Sequence, residues 1–214
     1  MKHLLTAALT GLTLSLGALS SVHAAPLVPA TTVGTDIFAV GNPVTAAFLF
    51  ADAGDDSDLD VTINAGGSSF LFSNSNSVTS NQTAVGTIIT INGVAVGDLL
   101  TFTLNDKSVV NSWSTGVGST NVAYLASSSV AVIEAALGVN LGAAAEAALA
   151  QLALIGNVTV IAFEDRPLAQ SDQDYNDLIF AFAQTRTNDV PEPGTLALLG
   201  VALAGVAALR RRRA

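Results

Sequence analysis

A short acidic stretch near the end of the chain holds the residues best suited to chemistry. The segment Phe163–Phe180 reads FEDRPLAQSDQDYNDLIF. Its candidate ligands are Glu164, Asp165, Asp172, Asp174, Asn176 and Asp177. Like charges this close repel one another unless a cation lies among them, and Arg166 is the only base nearby. Because every ligand atom on offer is an oxygen, the segment predicts a hard divalent ion, Ca²⁺ before Mg²⁺.

The spacing of these acids excludes one well-known calcium loop. Asp172, Asp174 and Asn176 agree with the first three ligand positions of an EF-hand loop. Asp177 stands where that loop requires glycine, and no glutamate follows six residues later. We therefore expect calcium on a turn of a different kind. Two alternatives stay open: a solvated turn whose side chains cap backbone groups, and a catalytic carboxylate pair.

The stretch also resembles a known bacterial family. Glu164-Asp165 followed by SDQDYNDLIF is similar to the signature of the domain-of-unknown-function family 4114, whose members are secreted and surface proteins. The resemblance is specific over Phe163–Phe180. It implies calcium binding through these acids and no enzymatic activity.

The fold pattern is mainly β. Short runs rich in Val, Ile, Thr and Phe alternate with Gly, Asn, Asp and Ser, which predicts a single β-sandwich or jelly-roll-like domain. The predicted strands are Asp36–Val40, Val44–Phe50, Leu59–Asn64, Ser69–Phe72, Gly86–Ile91, Leu99–Leu104, Asn157–Phe163 and Leu178–Phe182. The last two place the acids on a turn between paired strands. Alternation predicts three core pairs: Phe48 with Phe50, Phe70 with Phe72, and Phe180 with Phe182.

Two further segments interrupt this pattern. Alanine-rich runs between Ser128 and Ile155 predict a short helical insertion laid over a sheet edge or face. A second acidic run extends from Asp52 to Asp60, where Asp56, Asp58 and Asp60 alternate and would share one face of a strand. We expect a polar hairpin loop there, with a second ion site, or a contribution to the first one, as alternatives.

Charge and composition limit the function. Residues 25–189 contain 16 acids and three bases, Lys107, Arg166 and Arg186, for a net charge of −13. A segment with this negative charge could not neutralise the phosphates of a nucleic acid, so we expect no nucleic-acid partner. The chain has no cysteine, and its two histidines lie in the first 24 residues. Thiol, zinc and histidine-dependent catalysis are thereby excluded from residues 25–189. Only carboxylate-pair chemistry is left, and we expect a protein that is not an enzyme.

The N-terminus is typical of a secretory signal peptide. A short basic start, an apolar run from Leu4 to Leu19 and small residues before the cut predict cleavage between Ala24 and Ala25. An uncleaved anchor is the alternative. The mature domain would then span residues 25–189.

The C-terminus has a Pro-Glu-Pro motif, then an apolar run, then a final cluster of arginines. In this order of features it resembles the PEP-CTERM sorting signal, which is recognised by the membrane protease exosortase of Gram-negative bacteria. The resemblance rests on Pro191, Glu192 and Pro193, an apolar run over 195–209, and Arg210, Arg211, Arg212 and Arg213. As a helix this run is about 22 Å long, against about 30 Å for the hydrocarbon core. The resemblance implies that residues 190–214 form the sorting signal, in which 195–213, with a transmembrane helix over 195–209, is a transient anchor in the inner membrane. A simple anchor is the alternative.

These features together predict an exported surface or matrix protein. We expect a calcium-binding β-sandwich with a role in exopolysaccharide, biofilm or floc architecture. After tail processing it would lie at the cell surface or in the extracellular matrix, with extracellular polysaccharide as a candidate partner. A calcium-dependent, lectin-like carbohydrate-binding module with Trp113 as a stacking residue is the alternative.

Overall fold

The chain folds into a sandwich of two antiparallel β-sheets with two helices on one outer face. The computed structural model describes residues 28–29, 35–74 and 82–187. Its strands are β1 (Val28–Pro29), β2 (Ile37–Ala39), β3 (Val44–Ala51), β4 (Ser57–Ile63), β5 (Ser68–Asn74), β6 (Ile88–Ile91), β7 (Leu99–Asp106), β8 (Asn111–Ser114), β9 (Val122–Leu125), β10 (Val158–Phe163), β11 (Leu178–Ala183) and β12 (Thr185–Thr187), and its helices are α1 (Val130–Leu137) and α2 (Gly142–Ile155). The predicted mainly-β fold class is confirmed.

The acidic turn joins the two central strands of one sheet. The first sheet runs β1-β9-β10-β11-β3-β6, and the second runs β12-β2-β7-β4-β5 with β8 paired to β7. Strands β10 and β11 are antiparallel neighbours, with Phe163 opposite Leu178. The acids between these two residues therefore lie on a turn between paired strands, as the sequence predicts.

Aromatic rings fill the space between the sheets. Phe180 stacks on Phe48 and Phe72, with ring centroids 5.1 and 5.6 Å apart. Phe163 meets Phe180 edge to face at 6.1 Å, and these four rings are fully or almost fully buried. Offset and edge-to-face pairs add to the gain from burial alone. The two strands that carry the acidic turn are thus anchored among these buried rings, β10 through Phe163 and β11 through Phe180.

The helices cover the outer face of the first sheet. Apolar residues of α1 and α2, such as Ile133 and Leu149, pack on Leu49, Val160 and Ile179 in a second core. Because both faces of β10 and β11 are covered, all of their residues are buried, which is why they read as continuous apolar runs. The predicted helical insertion is confirmed.

Two β-bulges overturn part of the predicted core. Opposite Leu59 and Asp60 the register shifts, so that Leu71 is an extra residue between Phe72 and Phe70. Leu71 and Phe72 are both buried, whereas Phe70 is 60% exposed, and its prediction as a core residue is wrong. A bulge reverses the side-chain alternation beyond it.

The second bulge affects the other predicted pair. Phe180 lies opposite Phe48, and Ile179 lies opposite Phe50, with a register shift between them. Phe50 is consequently half-buried against the helix-side core instead of lying between the sheets. Phe180 and Phe182 are both buried between the sheets, as predicted.

Four strands are not predicted from the sequence because they are short or polar. β1, β8, β9 and β12 have two to four residues each. Within the polar segment that follows Phe182, β12 pairs with β2. Its Thr185 is buried and donates its hydroxyl to the Phe182 carbonyl at 2.9 Å. Pairing with a neighbour, not composition, makes this segment a strand.

The two predicted terminal segments lie outside the described residues. These are the signal peptide with its cut between Ala24 and Ala25, and the tail with its helix over 195–209. Within the described ranges, no helix is long and apolar enough to cross a membrane.

We expect Gly86→Ala to destabilise the fold more than Gly93→Ala. Both glycines have positive φ, 87° and 75°, where alanine costs about 1–2 kcal/mol. A Cβ at Gly86 would lie 2.8 Å from the Ala144 carbonyl oxygen of α2, whereas a Cβ at Gly93 would meet nothing within 4 Å. The clash should add about 1–3 kcal/mol. Urea unfolding of both variants measures this difference, and equal losses would show that α2 is free to move away.

Candidate metal centre

The acidic turn is held in place by its neighbours at one end of the sandwich. The Glu164 amide donates to the Asn121 carbonyl at 3.0 Å, and the Asp52 amide donates to the Asp177 carbonyl at 2.9 Å. The Asn121 side-chain amide also donates to the Arg166 carbonyl. The turn is therefore tied to the loop before β9 on one side and to the loop after β3 on the other.

Tyr175 anchors the middle of the turn. It is 5% exposed, and its hydroxyl donates to the Thr120 carbonyl at 2.9 Å. Its φ of 56° and that of Gln173, 63°, are left-handed, a conformation that is uncommon in residues other than glycine. The chain is thus folded sharply on both sides of Asp174, with Tyr175 pointing inward and Asp174 exposed.

Three predicted ligands converge on one point. One carboxylate oxygen from each of Glu164, Asp172 and Asp174 lies within 4.8 Å of the others. Calcium binds oxygen at about 2.3–2.6 Å, so two oxygens on one ion are at most about 5 Å apart. The three side chains therefore fit a single calcium ion.

Glu164 supplies the strongest sign that this cluster binds a cation. Its side chain is 0% exposed, and its Oε1 accepts the Tyr175 amide at 2.5 Å. Its Oε2 is buried with no hydrogen-bond partner among the described residues. A buried carboxylate oxygen without a partner is costly, and a cation between Glu164, Asp172 and Asp174 would remove that cost.

Asn176 orients one of these ligands. Its backbone amide donates to Asp174 Oδ1 at 3.2 Å, and its side-chain amide donates to Asp174 Oδ2 at 2.5 Å. Asn176 therefore positions Asp174 through its backbone and side-chain N–H groups. Burial, followed by the nearby charge of Asp172, raises the pKa of Asp174.

The remaining two predicted ligands form a separate pair beside the cluster. The Asp165 amide donates to Asp177 Oδ2 at 2.9 Å, and Asp165 Oδ2 accepts the Asp55 amide at 3.4 Å. Burial, then repulsion from Asp165 and Glu164, raises the pKa of Asp177 to about 7. Burial also raises the pKa of Asp165. Asp165 and Asp177 do not belong to the group of three carboxylates, but they add to the negative charge around that group.

In calcium-free buffer we expect the chain to lose stability as the pH rises from about 4 to 7. The pKa of Asp177 is 3.8 in the unfolded chain and about 7 in the folded one, so the folded chain binds more protons in this window. The stability from that proton is complete below the lower value and is lost as the pH passes the higher one. Urea unfolding at pH 5 and pH 8 with chelator measures it. Asp177→Asn should flatten the profile, and an unchanged slope in this variant would contradict the assignment.

The second acidic run contributes one residue to the turn. Asp55 Oδ2 accepts the Arg166 Nε–H at 2.8 Å. Asp58 and Asp60 lie on the outward face of β4, as alternation predicts, where Asp58 pairs with Lys107 at 2.8 Å and Asp60 accepts the Asn105 amide at 3.1 Å. Asp55 lies in the second acidic run, for which a contribution to the first site was one of the alternatives. Sequence reasoning did not single out Asn121 and Tyr175 as supporting residues. Asp55 and Asp165 are 110 positions apart, so no local signal could have joined them.

The tryptophan and the two tyrosines, the residues considered for sugar stacking, are buried or half-buried. Trp113 is half-buried and packs against the inter-sheet core, and Tyr175 is buried in the turn. The Tyr124 hydroxyl accepts the Gly116 amide at 3.4 Å, and burial raises the Tyr124 pKa to about 12. A sugar site built on stacking against Trp or Tyr is therefore not favoured among the described residues.

Comparison with known proteins settles the character of the tail. Residues 189–213 match the PEP-CTERM protein-sorting motif. The chain therefore carries the signal for exosortase sorting, with export and membrane anchoring before release. Pro191, Glu192, Pro193 and the terminal arginines lie within the matched range. The chain has no match among curated proteins or solved structures, and the resemblance to family 4114 gains no support from these comparisons.

Proposed function

We propose that this protein is a calcium-binding, non-enzymatic component of the cell surface or extracellular matrix. The sorting motif supports export and anchoring. Two observations at Glu164 support calcium. Its Oε2 is buried without a partner among the described residues, and one of its carboxylate oxygens lies within 4.8 Å of an oxygen of Asp172 and of Asp174. Calcium would supply the positive charge that balances this group of carboxylates.

Calcium suits the chemistry and the surroundings of these ligands. Carboxylate oxygens are ligands for hard cations, and calcium accepts irregular, flexible geometry more readily than magnesium. Two of the three carboxylates are exposed, so the site resembles the weak calcium sites of extracellular modules, with dissociation constants of about 10⁻⁴–10⁻³ M. The protein would bind calcium outside the cell, after export.

The bound ion would stiffen the turn and connect the domain to its surroundings. It would join Asp172 and Asp174 to Glu164, which directly follows β10. Calcium keeps six to eight ligands, so positions beyond these three carboxylates would be open to water or to anionic polymers. With a body charge of −13 over residues 25–189, calcium bridging gives a route to exopolysaccharide, and hence to biofilm or floc architecture.

Thermal unfolding of the exported chain, purified in mild detergent, tests this proposal. Calcium at 100 times its dissociation constant should stabilise the fold by about 2.7 kcal/mol, which raises Tm by about 5–10 °C for a domain of this size. Magnesium should give a smaller rise. The double variant Asp172→Asn, Asp174→Asn should lose the calcium response and Asp58→Asn should keep it. An equal Tm in calcium and in chelator would refute the proposed site.

Retention of the protein by cells tests the matrix role. Cells that produce the exported protein should release it when they are washed with a calcium chelator, and should keep it when calcium is restored. The Asp172→Asn, Asp174→Asn variant should be released without chelator. If chelator and these substitutions leave the retained fraction unchanged, calcium bridging plays no part in the matrix.

A calcium-dependent carbohydrate-binding module is the second candidate function. An open depression beside the cluster favours it, since Asp172 belongs both to the cluster and to the lining of that depression. In this version the bound ion, and not an aromatic platform, would organise the sugar site.

A further inference from the structure

The depression beside the acidic cluster has the dimensions of a ligand site. Its volume is about 400 Å³, within the range of small-molecule pockets in proteins. Its lining includes Arg166, Gln170, Ser171 and Asp172. Because Asp172 is shared with the cluster, an ion held there would lie at the edge of the depression.

Arg166 lines this depression, and part of its guanidinium is available to bind a ligand. Its Nε–H donates to Asp55 Oδ2 at 2.8 Å, while its side chain is 48% exposed. Its two terminal amino groups have no hydrogen-bond partner among the described residues. A guanidinium held on one side and open on the other is suited to bind a carboxylate.

The depression repels anions in the absence of a cation. Asp165, Asp172 and Asp177 also line it. Asp165 Oδ2 accepts the Asp55 amide, and Asp177 Oδ2 accepts the Asp165 amide, so these acids are held where they are. A carboxylate ligand would therefore bind only when a divalent cation outweighs their charge.

Two neutral polar side chains complete the lining. The Ser171 hydroxyl is buried and has no partner among the described residues, and Gln170 presents an exposed amide. A hydroxyl and an amide each offer donor and acceptor positions, which matches the hydroxyl groups of a sugar better than the backbone of an acidic peptide.

We propose that this depression binds the carboxylate of an acidic sugar, a uronate, between the calcium ion and the Arg166 guanidinium. The sugar hydroxyls would bind the exposed amide of Gln170. This inference rests on the proposed calcium site and names the class of ligand that the site takes.

Calorimetric titration of the exported chain with a galacturonic acid trisaccharide tests this inference. The trisaccharide should bind in calcium and not in chelator, and the neutral galactose trisaccharide should not bind in either. Arg166→Gln should weaken uronate binding at least tenfold. Arg186→Gln is the matched control, because Arg186 is also exposed but lies over Phe38 at 5.5 Å, away from this depression; it should bind like the wild type.

Each contrary result has its own meaning. If calcium raises Tm but the uronate does not bind, or binds Arg166→Gln as well as wild type, the uronate inference fails and the calcium site stands. Equal binding of a triglutamate peptide would overturn the choice of a sugar. If calcium itself has no effect on Tm, the proposed function and this inference fail together.

Discussion

Glu164→Gln should leave the domain at least as stable as the wild type without calcium, but should make it less stable than the wild type with calcium. Glutamine keeps the oxygen that accepts the Tyr175 amide and removes the acid whose second oxygen is buried without a partner. In chelator we expect the free energy of unfolding to stay equal or to rise by about 1 kcal/mol, since an unpaired buried acid is a cost. In saturating calcium the variant should be about 2–3 kcal/mol less stable than wild type, because the linked stabilisation is lost.

Urea unfolding of wild type and variant with calcium and with chelator measures this reversal. Glu146→Gln is the matched control, since Glu146 is an exposed residue of α2 and should respond to calcium like the wild type. If Glu164→Gln were equally destabilising in both buffers, the glutamate would be a structural residue and not an ion ligand.

Phe180→Ala should have the largest effect on stability among substitutions in the domain. Its ring contacts three others, Phe48, Phe72 and Phe163, and it follows the acidic turn by three residues. Truncating a buried phenylalanine costs about 3–5 kcal/mol. We also expect weaker calcium binding, because β11 holds one end of the turn.

Phe70→Ala provides the control for this experiment. Phe70 is 60% exposed because of the bulge at Leu71, and its loss should cost less than about 1 kcal/mol. Urea unfolding with an unchanged m-value measures both losses. Comparable losses from the two variants would show that the bulge is misplaced and that Phe70 belongs to the core.

Sequence reasoning could predict the features that depend on local pattern. Strands β10 and β11 are apolar runs on either side of an acidic turn, so their pairing and the position of Glu164 and Asp174 follow from residue order. The helices over Val130–Leu137 and Gly142–Ile155 follow from alanine-rich composition. Export follows from motifs that are contiguous in the chain, and the comparisons support its C-terminal part.

The rest depends on contacts between distant segments. Nothing near Phe70 or Phe50 signals a bulge, because bulges are set by the register with a partner strand. Thr185–Thr187 becomes a strand only because β2 is there to pair with it. The division of the six predicted ligands into a converging group of three, a separate acid pair and an orienting asparagine requires the left-handed residues Gln173 and Tyr175, which the sequence does not reveal.

The most direct test of the calcium centre is a calorimetric titration of calcium into the exported chain, run beside the Asp172→Asn, Asp174→Asn variant. We expect one ion per chain in the wild type, with a dissociation constant of about 10⁻⁴–10⁻³ M, and no binding in the variant. Absence of binding at millimolar calcium, or equal binding by both proteins, would contradict a metal centre at Glu164, Asp172 and Asp174.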